Sequence, residues 1–166
     1  MAKKLKKRII KKLALGGILT ACTSYYLPVF HVKGDSMRPT LKEKDVALSE
    51  RLPFLNERIK IDDLVIFTSP QDSDLNLVKR VVGLPGDHYT HSGIESVIPE
   101  NYYFVMGDNR MVSYDSRNFG PVEISERIIA IYSSKRFKFM TASQIRHKPI
   151  EKDDFNFRSF SLIKKN

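Results

Sequence analysis

A serine and a lysine stand in this chain where they could form a catalytic pair without a histidine. Ser36 lies in Gly34-Asp35-Ser36-Met37-Arg38-Pro39-Thr40-Leu41, and Lys79 in Leu77-Val78-Lys79-Arg80-Val81-Val82-Gly83-Leu84-Pro85-Gly86-Asp87. A serine hydroxyl is a weak nucleophile until a base takes its proton. Lysine can be that base only when neutral, and a free pKa of about 10.4 keeps it charged at pH 7. Burial among apolar groups lowers that value, by up to roughly 3–5 units when complete. Ser36 follows the turn signal Gly34-Asp35, and Pro39 holds its neighbour extended. The serine should therefore sit on a turn, beside an exposed Met37. Ordinary Asp/Ser turn chemistry accounts equally well for an isolated Gly-Asp-Ser.

These residues need elements to hold them. Short apolar runs at 45–49, 64–68, 76–83, 101–107 and 128–132 read as strands, punctuated by Gly, Pro and Asp. That pattern predicts an all-β domain. Within 76–83, alternation puts Lys79 on one face with Leu77 and Val81, and Val78, Arg80 and Val82 on the other. A lysine on an inward apolar face is expensive without a purpose. A lysine exposed on an edge strand, guarding against aggregation, fits the same pattern. The segment 49–60 matches neither period and reads as a loop. Residues 135–166 read as a basic, polar tail.

The 166 residues suit one compact domain plus tails, and 42% apolar content is enough for a core. The net charge of +9 is uneven. Lys3, Lys4, Lys6, Lys7, Arg8, Lys11 and Lys12 crowd the start, and the first acidic residue is Asp35. From 13 to 32 there is no Asp, Glu, Lys or Arg. About 20 residues at 1.5 Å each would cross a hydrocarbon core of roughly 30 Å. Tyr25 and Tyr26 suit the far interface, and Pro28 should end the helix. A cleaved targeting peptide and a buried core helix also fit such a run. The anchor reading is favoured because the Ser36 motif begins only two residues later. The basic flank should then stay on the cytoplasmic or matrix side. The expected organisation is a basic flank at 1–12, an anchor at 13–32, a peptidase domain at 33–134 and a tail at 135–166. Cys22 is alone, and His31, His88, His91 and His147 are scattered, so no metal and no cofactor are assigned.

A third block reads Gly107-Asp108-Asn109-Arg110-Met111-Val112-Ser113-Tyr114-Asp115-Ser116-Arg117-Asn118-Phe119-Gly120-Pro121-Val122. The three blocks together resemble the type I signal peptidase family, the serine-lysine membrane proteases, which includes the mitochondrial inner membrane peptidases. The resemblance runs from about Val32 to Val122. It implies two antiparallel sheets behind one N-terminal transmembrane helix, with Ser36 as nucleophile and Lys79 as general base. By the same resemblance Ser113 hydrogen-bonds and orients the lysine, and Asp115 and Arg117 form a supporting ion pair. Gly107, Asp108 and Asn109 would shape the turn carrying Ser113. Met37 and Leu41 could line shallow substrate pockets. Gly34 stands where some bacterial members carry a Ser or Thr donor, so the oxyanion would rely on backbone N–H groups. Asp62-Asp63 stands where the family usually has Gly-Asp.

The implied activity is cleavage of signal or sorting peptides after a small-x-small site, the substrate binding as an added strand. The implied setting is the mitochondrial inner membrane, with the domain in the intermembrane space and a related peptidase subunit as partner. The bacterial plasma membrane is the alternative. Three rivals fit parts of the chain. A self-cleaving repressor-type protease would lack the basic apolar start. A nucleic-acid-binding module would explain the charge but not Ser36, and no nucleic acid is assigned as a partner. An inactive membrane scaffold is disfavoured because every catalytic position is filled.

Overall fold

The computed structural model describes residues 16–17, 24–51, 59–91, 94–133, 138–141, 143–144 and 160–163. Its strands are β1 (Val29–His31), β2 (Val46–Glu50), β3 (Leu64–Ser69), β4 (Asp72–Gly83), β5 (His88–His91), β6 (Ile94–Val97), β7 (Tyr102–Met106), β8 (Val122–Glu123), β9 (Glu126–Ser133), β10 (Lys138–Thr141) and β11 (Phe160–Ile163). A short helix, Ser116–Phe119, lies between β7 and β8. The larger sheet runs β1-β2-β9-β3-β4-β7-β8, with β10 added beside β9, and the smaller runs β11-β5-β6. Every pairing is antiparallel. The expected all-β architecture of two antiparallel sheets is what forms.

The unbroken apolar run of β3 has a simple cause: both its faces are covered. Leu64 and Ile66 join Val32, Met37, Leu41, Ala47, Ile128 and Ile131 in one core cluster. Val65 and Phe67 join Ile59, Val81, Tyr103, Val105 and Val122 in another. β4 pairs along β3, Val65 opposite Lys79 and Leu64 opposite Arg80. Its first residues are exposed, while Lys79, Arg80 and Val81 are buried. The alternation read from sequence holds, since Leu77 and Val81 pack in the second cluster and Val78 against the first.

The strands expected at 45–49, 64–68, 76–83, 101–107 and 128–132 all form, with shifted ends. Ser49 and Glu50 belong to β2 rather than to a loop. Both are buried, Ser49 on the face of Ala47 and Glu50 on the opposite one, and the β2–β9 register shifts between Leu48 and Ser49, which leaves Ile129 of β9 without a partner. β10 and β11 fall in the expected tail, paired to β9 and β5. β10 folds back on the strand just before it, whereas the partner of β11 lies far upstream, and composition reveals neither pairing. Residues 29–31, placed at the end of the expected anchor, are strand β1 on β2. Helical backbone occurs at 16–17 and 24–26, and most of the rest of the 13–28 stretch lies outside the described residues. Among the described residues no helix is long and apolar enough to cross a membrane.

The Asp62-Asp63 departure has a conformational consequence. Asp62 takes a φ of 71°, in the left-handed region where Gly carries no Cβ penalty. Asp63 holds the turn, its carboxylate accepting from Lys60 N at 2.9 Å. Asp62→Gly should relieve the strain and raise stability by about 0.5 kcal/mol, part of the gain being offset by the freer unfolded chain. A thermal melt of the two proteins checks the direction.

Candidate active site

The Ser36 turn is fixed by backbone bonds. Arg38 N donates to Asp35 O at 3.1 Å and Leu41 N to Met37 O at 2.9 Å. Val32 N donates to Asp45 O at 2.8 Å, tying the turn's two ends together. Gly34 enters it at a φ of 78°. Met37 and Leu41 are 3% and 0% exposed and pack in the first core cluster. Their apolar side chains seat the turn on the sheet, so the exposed Met37 expected from sequence is corrected. The seating leaves Ser36 half-buried above β4.

There Lys79 Nζ donates to Ser36 Oγ at 2.8 Å. Lys79 is only 2% exposed. Burial pushes its pKa below the ordinary 10.5, against the opposing pull of the Asp115 and Asp108 carboxylates. A buried amine with a lowered pKa, touching a hydroxyl, is the arrangement a general base needs.

The third block closes over the serine's own backbone. Asn109 N donates to Ser36 O at 2.9 Å, and its side-chain amide to Asp35 O at 3.2 Å. Gly107 approaches so closely that a Cβ there would lie within 2.5 Å of both Ser36 O and Ser113 Cβ, and nearer still to Ser113 Oγ. Ser113 is buried beside this contact, and its hydroxyl makes no hydrogen bond. The bond to Lys79 that the resemblance implies is not formed here.

Asp115 and Arg117 hold the loop from beneath. Asp115 is fully buried and caps the short helix, with Asn118 completing a capping box. Its Oδ2 accepts from Gly107 N at 2.9 Å. The Arg117 guanidinium pairs with both carboxylate oxygens, at 2.8 and 3.0 Å, and donates to Arg110 O at 2.8 Å and Ser113 O at 3.3 Å. One planar cation therefore gathers the ends of the 107–117 loop, which a lysine's single ammonium cannot match. Arg117→Lys should slow cleavage of a test peptide about 10-fold, with a stability loss of about 1–2 kcal/mol. Parent-like kinetics would show that the fork is dispensable.

Sequence reasoning set Arg80 aside, yet it is 1% exposed and paired in a fork with Asp108 at 2.8 and 2.7 Å. Its third nitrogen donates to Asp62 O at 2.8 Å. Arg80 thus braces the 107–109 turn from β4, next to Lys79. The signal was present: alternation placed Arg80 on the face shared with Val78, and an arginine buried there demands an acid. Among the described residues no His, Cys, Asp and Glu cluster could hold a metal.

Residues 6–95 and 88–133 match the family model of signal peptidase, peptidase S26. A mitochondrial ATP-independent inner membrane protease subunit 1a of Arabidopsis thaliana is 36% identical over 65% of this chain and 70% of its own. The human mitochondrial inner membrane protease subunit 1 is 33% identical over 80% of this chain and 86% of its own. Signal peptidase I V of Bacillus subtilis is 28% identical over 63% and 82%. A solved signal peptidase I of Enterococcus faecalis is 26% identical, covers 39% of this chain and 89% of its own, and has a TM-score of 0.34. On the matched span and the relatives' coverage, this chain belongs to the signal peptidase family, peptidase S26.

Proposed function

We infer that the chain is a membrane-anchored serine endopeptidase that removes signal or sorting peptides after a small-x-small site. The observation that carries the reading is the 2.8 Å contact between a buried Lys79 Nζ and Ser36 Oγ. Ser36 Oγ attacks the scissile carbonyl while Lys79 takes its proton, and the tetrahedral oxyanion is held by backbone N–H groups. The ammonium then protonates the leaving amine, and Lys79 activates a water that hydrolyses the acyl-enzyme. Ser113 is assigned a role in this cycle. Once Lys79 is an ammonium it has three protons to place, and Ser113 supplies a buried, unbonded hydroxyl in the 107–117 loop that closes over Ser36. Asp115 and Arg117 keep that loop closed on Ser36.

The uncharged segment that leads into β1 is assigned as the membrane anchor, behind the basic flank. The peptidase domain begins at β1, not at 33, and includes β10. The inner mitochondrial membrane is the favoured home, with the domain in the intermembrane space and a related subunit as partner. Identities of 33–36% to the mitochondrial subunits, against 28% to the bacterial enzyme, support that choice. Substrates are precursor proteins, delivered at the membrane surface.

The test is direct. Detergent-solubilised full chain should cleave a peptide carrying one small-x-small site and leave a matched peptide with large residues at both positions intact. Absence of cleavage in the presence of the partner subunit would overturn the reading.

A further inference from the structure

A second buried polar cluster lies away from Ser36, where the chain enters the domain from its uncharged N-terminal segment. Glu126, at the start of β9, has a side chain only 2% exposed. Its carboxylate accepts from Ser49 Oγ on one oxygen and from Arg51 on the other, Nε lying at 3.1 Å and Nη2 closer. Both donors also grip the incoming chain. Ser49 N donates to Pro28 O at 3.0 Å, with the Ser49 hydroxyl 3.2 Å from the same oxygen. Arg51 N donates to Tyr26 O at 2.9 Å, and its guanidinium lies over the Tyr25 ring, 5.5 Å from the centroid. β1 then pairs with β2 from Val29 onward. From Tyr26 there is no free linker.

A buried carboxylate is expensive, and a hydrophobic residue would stabilise the β2–β9 contact as well. What the carboxylate adds is geometry. It orients two donors toward a segment whose Tyr25, Tyr26, Leu27 and Val29 are all exposed, aromatic and apolar side chains of the kind that sit at a membrane interface.

We propose that Glu126, Ser49 and Arg51 form a clamp that fixes the membrane-exit segment to the peptidase domain and so sets which bond of a membrane-held substrate reaches Ser36. These are positioning residues, and the proposal rests on the function inferred above. A flexible four-residue linker would let the domain wander by about 10–12 Å. That spans about three residues of an extended substrate at roughly 3.3 Å each, enough to blur the cut site. The clamp removes that freedom.

The experiment uses full chain, with its partner subunit, in phosphatidylcholine vesicles and two substrates. One is a short soluble peptide with a single small-x-small site. The other is a precursor with an apolar helix followed by the same site at several distances. The parent should cut the precursor at one dominant distance. Arg51→Ala and Glu126→Gln should keep the soluble-peptide kcat/KM within about twofold, while preference for the dominant site falls about 10-fold and neighbouring sites are cut. Unchanged site preference in both variants would overturn the clamp. So would an equal loss on both substrates, which marks a purely structural role. A parent that cuts neither substrate overturns the peptidase reading itself, a failure seen already with the soluble peptide.

Discussion

Ser36→Ala and Lys79→Ala should each abolish cleavage of a small-x-small peptide, a loss of about 10⁴-fold or more, while the fold persists. The two side chains meet at 2.8 Å. Lys79→Arg should fail as completely, because a guanidinium does not give up its proton near neutral pH. The pH dependence has a definite sign. Only neutral Lys79 accepts the serine proton, and burial lowers its pKa below 10.5. kcat/KM should rise with pH through that lowered value, with its midpoint below 10.5. Stability should follow the same direction. Between the folded value and 10.5 the unfolded chain holds the extra proton, so stability rises with pH across that window. Below the folded value the buried ammonium carries its full penalty. Lys79→Met should erase the slope in denaturation midpoint measured against pH. Full activity of the purified Ser36→Ala or Lys79→Ala protein would end the serine-lysine assignment.

Gly107→Ala should be nearly as damaging to activity, though it removes no functional group. The added methyl would lie within 2.5 Å of Ser36 O, a backbone atom that cannot swing aside. Relief requires the 107–109 turn to lift from the serine, stretching the Asn109 N to Ser36 O bond and the Gly107 N to Asp115 bond. Overpacking of this kind costs about 1–3 kcal/mol of stability. The larger effect is on rate, since displacing a nucleophile by about 1 Å can cost on the order of 100-fold. The expected loss in kcat is about 100- to 1,000-fold. A circular-dichroism spectrum and a melt show whether the protein is still folded. Parent-like turnover in a folded Gly107→Ala protein would mean that the turn does not position Ser36.

The strands are local properties, which is why they could be read from the chain, whereas Ser36 and Lys79 were singled out by the resemblance of their motif blocks to a known family. Each strand run carries its own alternation and turn signals, and Lys79 could be assigned a face by counting in twos from Leu77 to Val81. The Ser36 and Lys79 motifs are contiguous, so their residue types and order sufficed for that resemblance. The side chains whose roles were misread or missed all depend on contacts between distant segments. Met37 beside a turn looks exposed until the turn is laid on β3, whose Leu64 and Ile66 face then buries it. Arg80 looks like a neighbour of the lysine until Asp108 arrives from 28 residues away to neutralise it. Gly107 reads as a turn residue, whereas the reason for glycine is the Ser36 carbonyl pressed against it. β10 and β11 lie in a stretch too polar to signal a core, and become strands because β9 and β5 offer unpaired edges. Glu126, Ser49 and Arg51 carry no motif at all. Their meeting requires β2 to lie against β9 with a bulge between Leu48 and Ser49. Propensity and pattern act over a few residues, whereas burial of a charge is decided by whichever partner the fold brings to it, and only the tertiary structure supplies that partner.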